Sequence, residues 1–445
     1  MSQSTRLELK AHRYEKNRVL DTAFVFIWLM LGVWSWSWLG PAWVAAMRPD
    51  ADLVLDFYQD WASAQNYVRG FPVYTPHSVS IPRYLGLPSN PEPRIEYNMH
   101  PPTSVLLFIP VARFSYPDAM CAGNAISLLA FFVSLAIVAA VLHLPWSLCC
   151  LGLAMLVFCH PVYGNLFQGQ MTLILVLLVT AMWALDRSGR SGAAGVLLGT
   201  AAAIKLFPAY LVVYYISQGR VRPLIAALIS FLTLTLITVL VLGLEAYHDY
   251  IKVVLPWNAE LRISNYNLSI AGVWHWIFHP ATDKNSVSLL SSLALARWGT
   301  LISSFMITMI VARAANRARG STQSELAFAM TAIAMLLVSP VTWDFSLPIL
   351  LAPFTLIARS LVKARSLWLF AALLLVIVVD CAPEPILKEL MLGGRFLNAC
   401  SWTSMRSAPS PKFYMLVVSF LLGLAAYRFE TLNSKFRPLY KNITM

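Results

Sequence analysis

Charge is what this sequence has least of: charged residues make up 12% of its 445 positions, about half the share usual in a soluble chain. Acids are scarcest, with 21 Asp and Glu against 33 Lys and Arg. With 58% hydrophobic residues and a mean hydropathy of +0.65, this excludes an ordinary soluble protein and implies an all-α polytopic membrane protein. The six cysteines have no metal-ligand spacing. Cys149, Cys150 and Cys159 lie in or beside an apolar run and read as packing residues, whereas Cys381 and Cys400 flank one short loop, where a disulfide stays open if that loop meets an oxidising compartment. No cleavable signal is expected either, because the first apolar run is span-length, lacks a small-residue cleavage site and follows a start of mixed charge. The formal net charge of +12 sits largely in short loops, where it serves topology and anionic headgroups before any nucleic acid.

What is present is a series of apolar segments separated by short loops. The first, about Leu20 to Val44, follows Arg6, Lys10, Arg13, Lys16 and Arg18, so its start is expected in the cytoplasm. Further spans are expected near Ala119 to Leu144, Ser147 to Cys159, Met171 to Leu185 and Pro223 to Leu242, with His160-Pro161 opening an outside turn over 160–170. The segment Gly192 to Ile216 is long enough for one span, yet both its flanks are basic, and flanks on one side require an even number of crossings. Lys205 and Pro208 near its middle suit two short helices meeting at an outer tip. With spans also near Leu289 to Val311, Leu326 to Val341, Ser346 to Ile357, Leu367 to Asp380 and Phe413 to Tyr427, about twelve transmembrane helices are expected. The chain then reads as one integral membrane domain over 1–445, with a cytoplasmic N-terminus over 1–19 and a cytoplasmic tail over 428–445. Its extracytoplasmic loops fall at 45–118, 244–288 and 382–412.

The first loop holds four of the few acids, at Asp50, Asp52, Asp56 and Asp60. Asp56 and Asp60 share one helical face, and Leu53, Phe57, Trp61, Ala64 and Val68 share another, which predicts an amphipathic interfacial helix with its carboxylates on the wet side. The same outer surface is expected to gather Lys205, Arg262, His100, His160, Gln168, Gln170, Asn165, Asn265, Asn267, Trp61, Trp257, Trp343 and Asp344. Acids and amides grip hydroxyls, aromatic rings cover sugar faces and cations take phosphate, so the set suits a sugar-and-phosphate substrate. No strand-and-glycine nucleotide motif is present, so a glycosyl donor used there has to be borne by the membrane.

An ordered set of motifs carries a resemblance: Asp56 with Gly70 and Tyr74 behind it, Tyr97 to Pro102 (YNMHPP), Gly169-Gln170 before a span, Ala201 to Pro208 (AAAIKLFP), Asn267 with Ser269, and Ser339 to Asp344 (SPVTWD). Spread over about residues 50 to 350, it resembles glycosyltransferase family 87, polyprenyl-phosphate-sugar-dependent mannosyltransferases of the C-type glycosyltransferase fold. Where many members carry a histidine just after the SP-x-x-W turn, this chain has Asp344 and Phe345. The resemblance implies transfer of a sugar, usually mannose, from a polyprenyl phosphate to a lipid- or polymer-linked hydroxyl on the outer face of the inner membrane. Asp56 matches the presumed general base. Lys205, backed by Arg262 and His160, is the expected donor-phosphate site, and Asp60, His100, Gln168, Gln170, Asn267, Trp343 and Asp344 are the expected sugar or acceptor contacts. No cofactor or metal is required, although Asp50, Asp52 and Asp60 leave a divalent cation open. The expected partners are the polyprenyl-phosphate sugar, a glycolipid or glycan acceptor and membrane lipids, with no nucleic acid, and the chain is expected to act as a monomer.

Plainer readings stand beside these. Asp56 and Asp60 solvate a helix, Lys205 snorkels to headgroups, His100 and His160 end helices before proline, and the glutamines satisfy turn backbone. A transporter or flippase is the competing function, since charges at membrane depth also mark transport paths. It would call for interrupted helices in corresponding halves, and none is visible.

Overall fold

The computed structural model describes residues 3–88, 96–264, 266–278, 291–391 and 409–441, and every regular element among them is helical. Helix α1 (Gln3–Met47) carries a span-length apolar stretch from Asp21 to Met47. The first loop then folds into α2 (Phe57–Val68), α3 (His77–Leu85) and α4 (Pro102–Phe108), the last continuing as a 3-10 turn to Arg113. Next come α5 (Tyr116–Leu142), α6 (Trp146–Leu156), α7 (His160–Gln168), α8 (Thr172–Arg187), α9 (Ser191–Ile204), α10 (Val212–Ser217) and α11 (Val221–Leu242). Short helices α12 (Leu244–Asp249), α13 (Leu255–Asn258) and α14 (Ile270–Phe278) occupy the region before α15 (Leu293–Arg317) and α16 (Ser321–Val338). A 3-10 segment from Asp344 to Leu350 leads into α17 (Leu351–Lys363), followed by α18 (Leu367–Cys381), α19 (Glu384–Met391) and α20 (Pro411–Lys441).

Seven described helices are long and apolar enough to cross a membrane, or eight if the bent pair α6 and α7 is one span. About twelve was expected. The difference lies in short apolar helices such as α9, whose 14 residues rise about 21 Å against a hydrocarbon core of about 30 Å. The expected 160–170 turn is helix α7, inclined at 54° to α6. Its proline stands at the start of the helix, where a missing N–H costs no hydrogen bond, so His160-Pro161 bends the chain instead of ending it. The last helix also runs on past Tyr427 through the stretch read as a tail.

The hairpin is present. Lys205, just beyond α9, lies beside Gln170 at the start of α8, while Arg220, after α10, pairs with Asp186 near the end of α8. The chain therefore goes along α8 and returns, α9 against α8 and α11. Gly195 and Gly199 allow that packing: a Cβ on either would come 2.2 Å from a carbonyl oxygen of α11, at Pro223 and Ala227. Arg187, Arg220, Arg317, Arg319 and Arg359 gather at one end of the bundle, linked through Asp186, Glu325 and Tyr427. Large apolar side chains such as Trp38, Leu240 and Trp368 stand exposed on the outside, as a lipid-facing surface requires.

The first loop does not leave the carboxylate face of its helix wet. In α2 every residue from Phe57 to Asn66 is buried, so the helix lies inside a small folded unit and Asp60 has no wet face. Of the expected apolar face, Phe57, Trp61 and Ala64 are buried while Leu53, ahead of the helix, and Val68, at its end, are exposed; the opposite side is dry because the rest of the loop closes over it. The Trp61 indole donates to Phe114 O, the Tyr58 hydroxyl to Ser80, and the Tyr84 hydroxyl to Asn66.

Candidate functional site

Asp56 immediately precedes α2, with no capping bond from its side chain, and is half-buried, while Gln170 lies in the turn into α8. Gly169 brings them together. It ends α7 with φ +68°, and a Cβ there would sit 2.5 Å from the Cβ of Phe57, the residue next to Asp56. Gln170 Nε2 donates to Asp56 Oδ2 at 2.6 Å, and Lys205 Nζ donates to Gln170 Oε1 at 2.7 Å. One amide thus spans a carboxylate and an ammonium, fixing their separation. Gln168 completes the seat by accepting the Asp56 backbone N–H at 3.3 Å. Burial is the largest influence on Asp56 and lifts its pKa above the ordinary 3.8; the Gln170 bond and the charges of His100 and Lys205 oppose this without cancelling it.

Asp60 is treated differently. Its carboxylate takes His100 Nδ1 at 2.7 Å, Ser104 Oγ at 2.8 Å and Asn98 Nδ2 at 3.1 Å. Burial alone would raise its pKa, but the His100 charge and these three bonds outweigh it and hold the carboxyl below its ordinary value. Asp60 and His100, both expected as substrate contacts, instead tie the YNMHPP segment to α2. The segment is fastened further by the Tyr74 hydroxyl on His100 O and by Met99 N on the Gln59 side chain.

A second polar group adjoins the first through Phe345, whose ring centroid lies 5.9 Å from Lys205 Nζ and whose carbonyl accepts from Asn165. Beside it, His160 Nδ1 meets Asp344 Oδ2 at 3.1 Å, joining the start of α7 to the SPVTWD turn. Trp343 is half-buried, with its ring near Phe345. Lys412, at the start of α20, is fully buried 3.7 Å from Asp344, and its ammonium has no hydrogen-bond partner among the described residues. Sequence reasoning missed it, although a lysine at the non-basic end of a span was the available signal.

Asn267 is used internally: its side chain donates to Pro340 O and Arg262 O and accepts from Thr342 N and Ser269 N, holding the Asn-x-Ser stretch to the turn. Arg262 contributes that carbonyl, and its guanidinium Nε has no hydrogen-bond partner among the described residues. Cys381 lies 3.4 Å from Cys159, the residue read as packing; Cys400 and Asn265 fall outside the described residues. Among the described residues no three His, Cys, Asp or Glu side chains form a metal-binding group, and Asp50 and Asp52 are exposed.

A carboxylate able to accept a proton, one amide from a buried-edge ammonium, can deprotonate a hydroxyl while an anionic leaving group is neutralised. The family model described as Glycosyltransferase family 87 matches residues 98–340, which include Gln170, Lys205 and Asp344's neighbours up to Pro340, while Asp56 precedes the match. A curated protein of Mycolicibacterium smegmatis, polyprenol-phosphate-mannose-dependent alpha-(1-2)-phosphatidylinositol mannoside mannosyltransferase, is 25% identical over 308 residues, 61% of this chain and 64% of that protein. The protein of the same description from Mycobacterium tuberculosis is 25% identical over 340 residues, 72% of each. The first alignment thus spans just under two thirds of its relative. No solved structure matches the chain.

Proposed function

Because the chain belongs to glycosyltransferase family 87, we propose that it moves a mannosyl residue from a polyprenyl-phosphate donor to a hydroxyl of a glycolipid acceptor, at the extracytoplasmic face of the inner membrane. The carrying observation is the Asp56–Gln170–Lys205 bridge. An acceptor hydroxyl is a weak nucleophile, so a base must take its proton as it attacks the anomeric carbon. Asp56 fills that role, its raised pKa making it a stronger base than an ordinary aspartate. The leaving group is already a phosphate, so it needs no protonation, only positive charge on its oxygens, which Lys205 supplies. The relatives' descriptions name the donor class and a phosphatidylinositol mannoside acceptor, which support mannose and a glycolipid here.

With the base on one side of the anomeric carbon and the phosphate leaving from the other, a single displacement inverts the configuration. The basic end of the bundle lies opposite this site, and the charge rule, which favours a cytoplasmic position for such an end, supports chemistry on the outside. The test is transfer by the purified chain from β-linked polyprenyl-phosphate mannose to a phosphatidylinositol mannoside, with the product read by NMR. An α-linkage is expected. A β-product would rule out the single displacement, and absence of transfer from that donor would rule out the donor class.

A further inference from the structure

Cys159 and Cys381 are 222 positions apart in the chain, yet their sulfurs lie 3.4 Å from each other. Cys159 stands in the bend between α6 and α7, and Cys381 is the last residue of α18. Both are half-buried, and among the described residues no other two thiols share a hydrogen bond. Apolar packing accounts for a cysteine among leucines, but the surroundings of this pair are polar. His160, next to Cys159, meets Asp344 at 3.1 Å, Asp380 directly precedes Cys381, and the buried Lys412 acts electrostatically on both thiols. The pair therefore belongs to the end of the bundle that holds the Asp56 site, away from Arg187 and Arg220.

A disulfide needs its sulfurs about 2.0 Å apart, about 1.4 Å closer than here, a gap that rotation of two side chains about their Cα–Cβ bonds can close. Disulfides form and persist in oxidising compartments. We propose that Cys159 and Cys381 are joined by a disulfide in the folded chain, a pairing that rests on the extracytoplasmic placement of the Asp56 site. The oxidant is the disulfide of an extracytoplasmic thiol–disulfide oxidoreductase. One cysteine thiolate attacks it, releasing one oxidant thiol and leaving a mixed disulfide, from which the second cysteine thiolate displaces the other oxidant sulfur. The chain thus loses two hydrogens and the oxidant leaves as a dithiol. The bond clamps the end of α18 to the start of α7, whose far end brings Gln168 and Gln170 to Asp56. It assigns Cys381 to Cys159 in place of Cys400.

The experiment lyses cells making the full chain in N-ethylmaleimide, which caps free thiols, and digests the purified chain with trypsin in the absence of reductant. Cleavage after Lys388 and Arg395 parts Cys381 from Cys400, so mass spectrometry should find fragment 114–187 linked to fragment 366–388 and released by reduction. Fragment 114–187 also holds Cys121, Cys149 and Cys150, and the link should vanish in Cys159→Ser. Further digestion of the linked pair with chymotrypsin, which cuts after Phe158 and Tyr163, assigns the cysteine in the parent itself and so does not depend on that variant folding. Reduction with a trialkylphosphine should lower the melting midpoint of the parent and leave that of Cys381→Ala unmoved. A link kept in Cys159→Ser, a link from 366–388 to the fragment holding Cys400, equal melting shifts in parent and variant, or both thiols found capped would each overturn the proposal. In the last case oxidised glutathione is added to the purified, uncapped chain: closure of the bond would put the error in the extracytoplasmic reading, and no closure would put it in the pairing.

Discussion

Asp56 and Asp60 stand one helical turn apart and meet opposite fates, because one faces Gln170 and Lys205 and the other is enclosed by His100, Ser104 and Asn98. Asp56→Asn keeps the size and can still accept from Gln170 but cannot take a proton, so turnover should fall by about 10² to 10⁴. The raised pKa of Asp56 means that the folded chain binds its proton more tightly than the unfolded chain does. Ionising it therefore costs stability as pH rises from 3.8 through the raised value, and Asp56→Asn should melt no lower than the parent at pH 7. By the same shift, the acid limb of kcat/KM should lie above the ordinary aspartate value and disappear in Asp56→Asn. Asp60 has the opposite sign. Its lowered pKa contributes stability above pH 3.8 that is lost as pH falls through the folded value, so Asp60→Asn should cost about 1 to 3 kcal/mol, read from the melting midpoint at pH 7. For Lys205→Met the loss of a charge-assisted phosphate contact should reduce donor use roughly 10- to 150-fold. Donor kinetics unchanged from the parent would remove Lys205 from the phosphate site.

At the scale of elements, the site exists because three connections bring distant segments to one place: the α7–α8 turn, the α9–α10 tip and the SPVTWD turn. Gly169 controls the first. An alanine there meets both a left-handed backbone and Phe57 at 2.5 Å, so the turn must back away from α2 and take Gln170 with it. Gly169→Ala should lower kcat and melting temperature together, whereas Gln170→Ala should lower kcat with a smaller effect on melting. Melting and kcat both equal to the parent in Gly169→Ala would mean that this close approach is not needed. The tip depends on Gly195 and Gly199, whose lack of side chains lets α9 lie against α11 and carry Lys205 to Gln170.

For the whole molecule, two polar groups stand at opposite ends of α8: Arg187 and Arg220 with their carboxylate partners at one, the Asp56, Lys205, Asp344 and Lys412 groups at the other. The charge rule then assigns sides. In a chain whose six native cysteines are replaced, Asp52→Cys should react with a membrane-impermeant maleimide in intact cells, and Arg190→Cys only after permeabilisation. The reverse pattern would invert the molecule and move the site inside.

The sequence by itself determined the helical membrane class and the return of the chain at Lys205, and assigned Asp56, Gln170 and Lys205 to one surface without joining them, because hydropathy, flanking charge and ordered motifs are local signals that the bilayer enforces. Tertiary structure alone decided that α2 is buried, that Asp60 and Asn267 spend their bonds inside the protein, and that Lys412 and Cys159 join α20 and α18 near Asp344. The physical reason is that helical spacing shows which faces are apolar but not what covers the remainder. Whether a carboxylate meets water, substrate or a histidine from 40 residues away depends on how the loop closes over it.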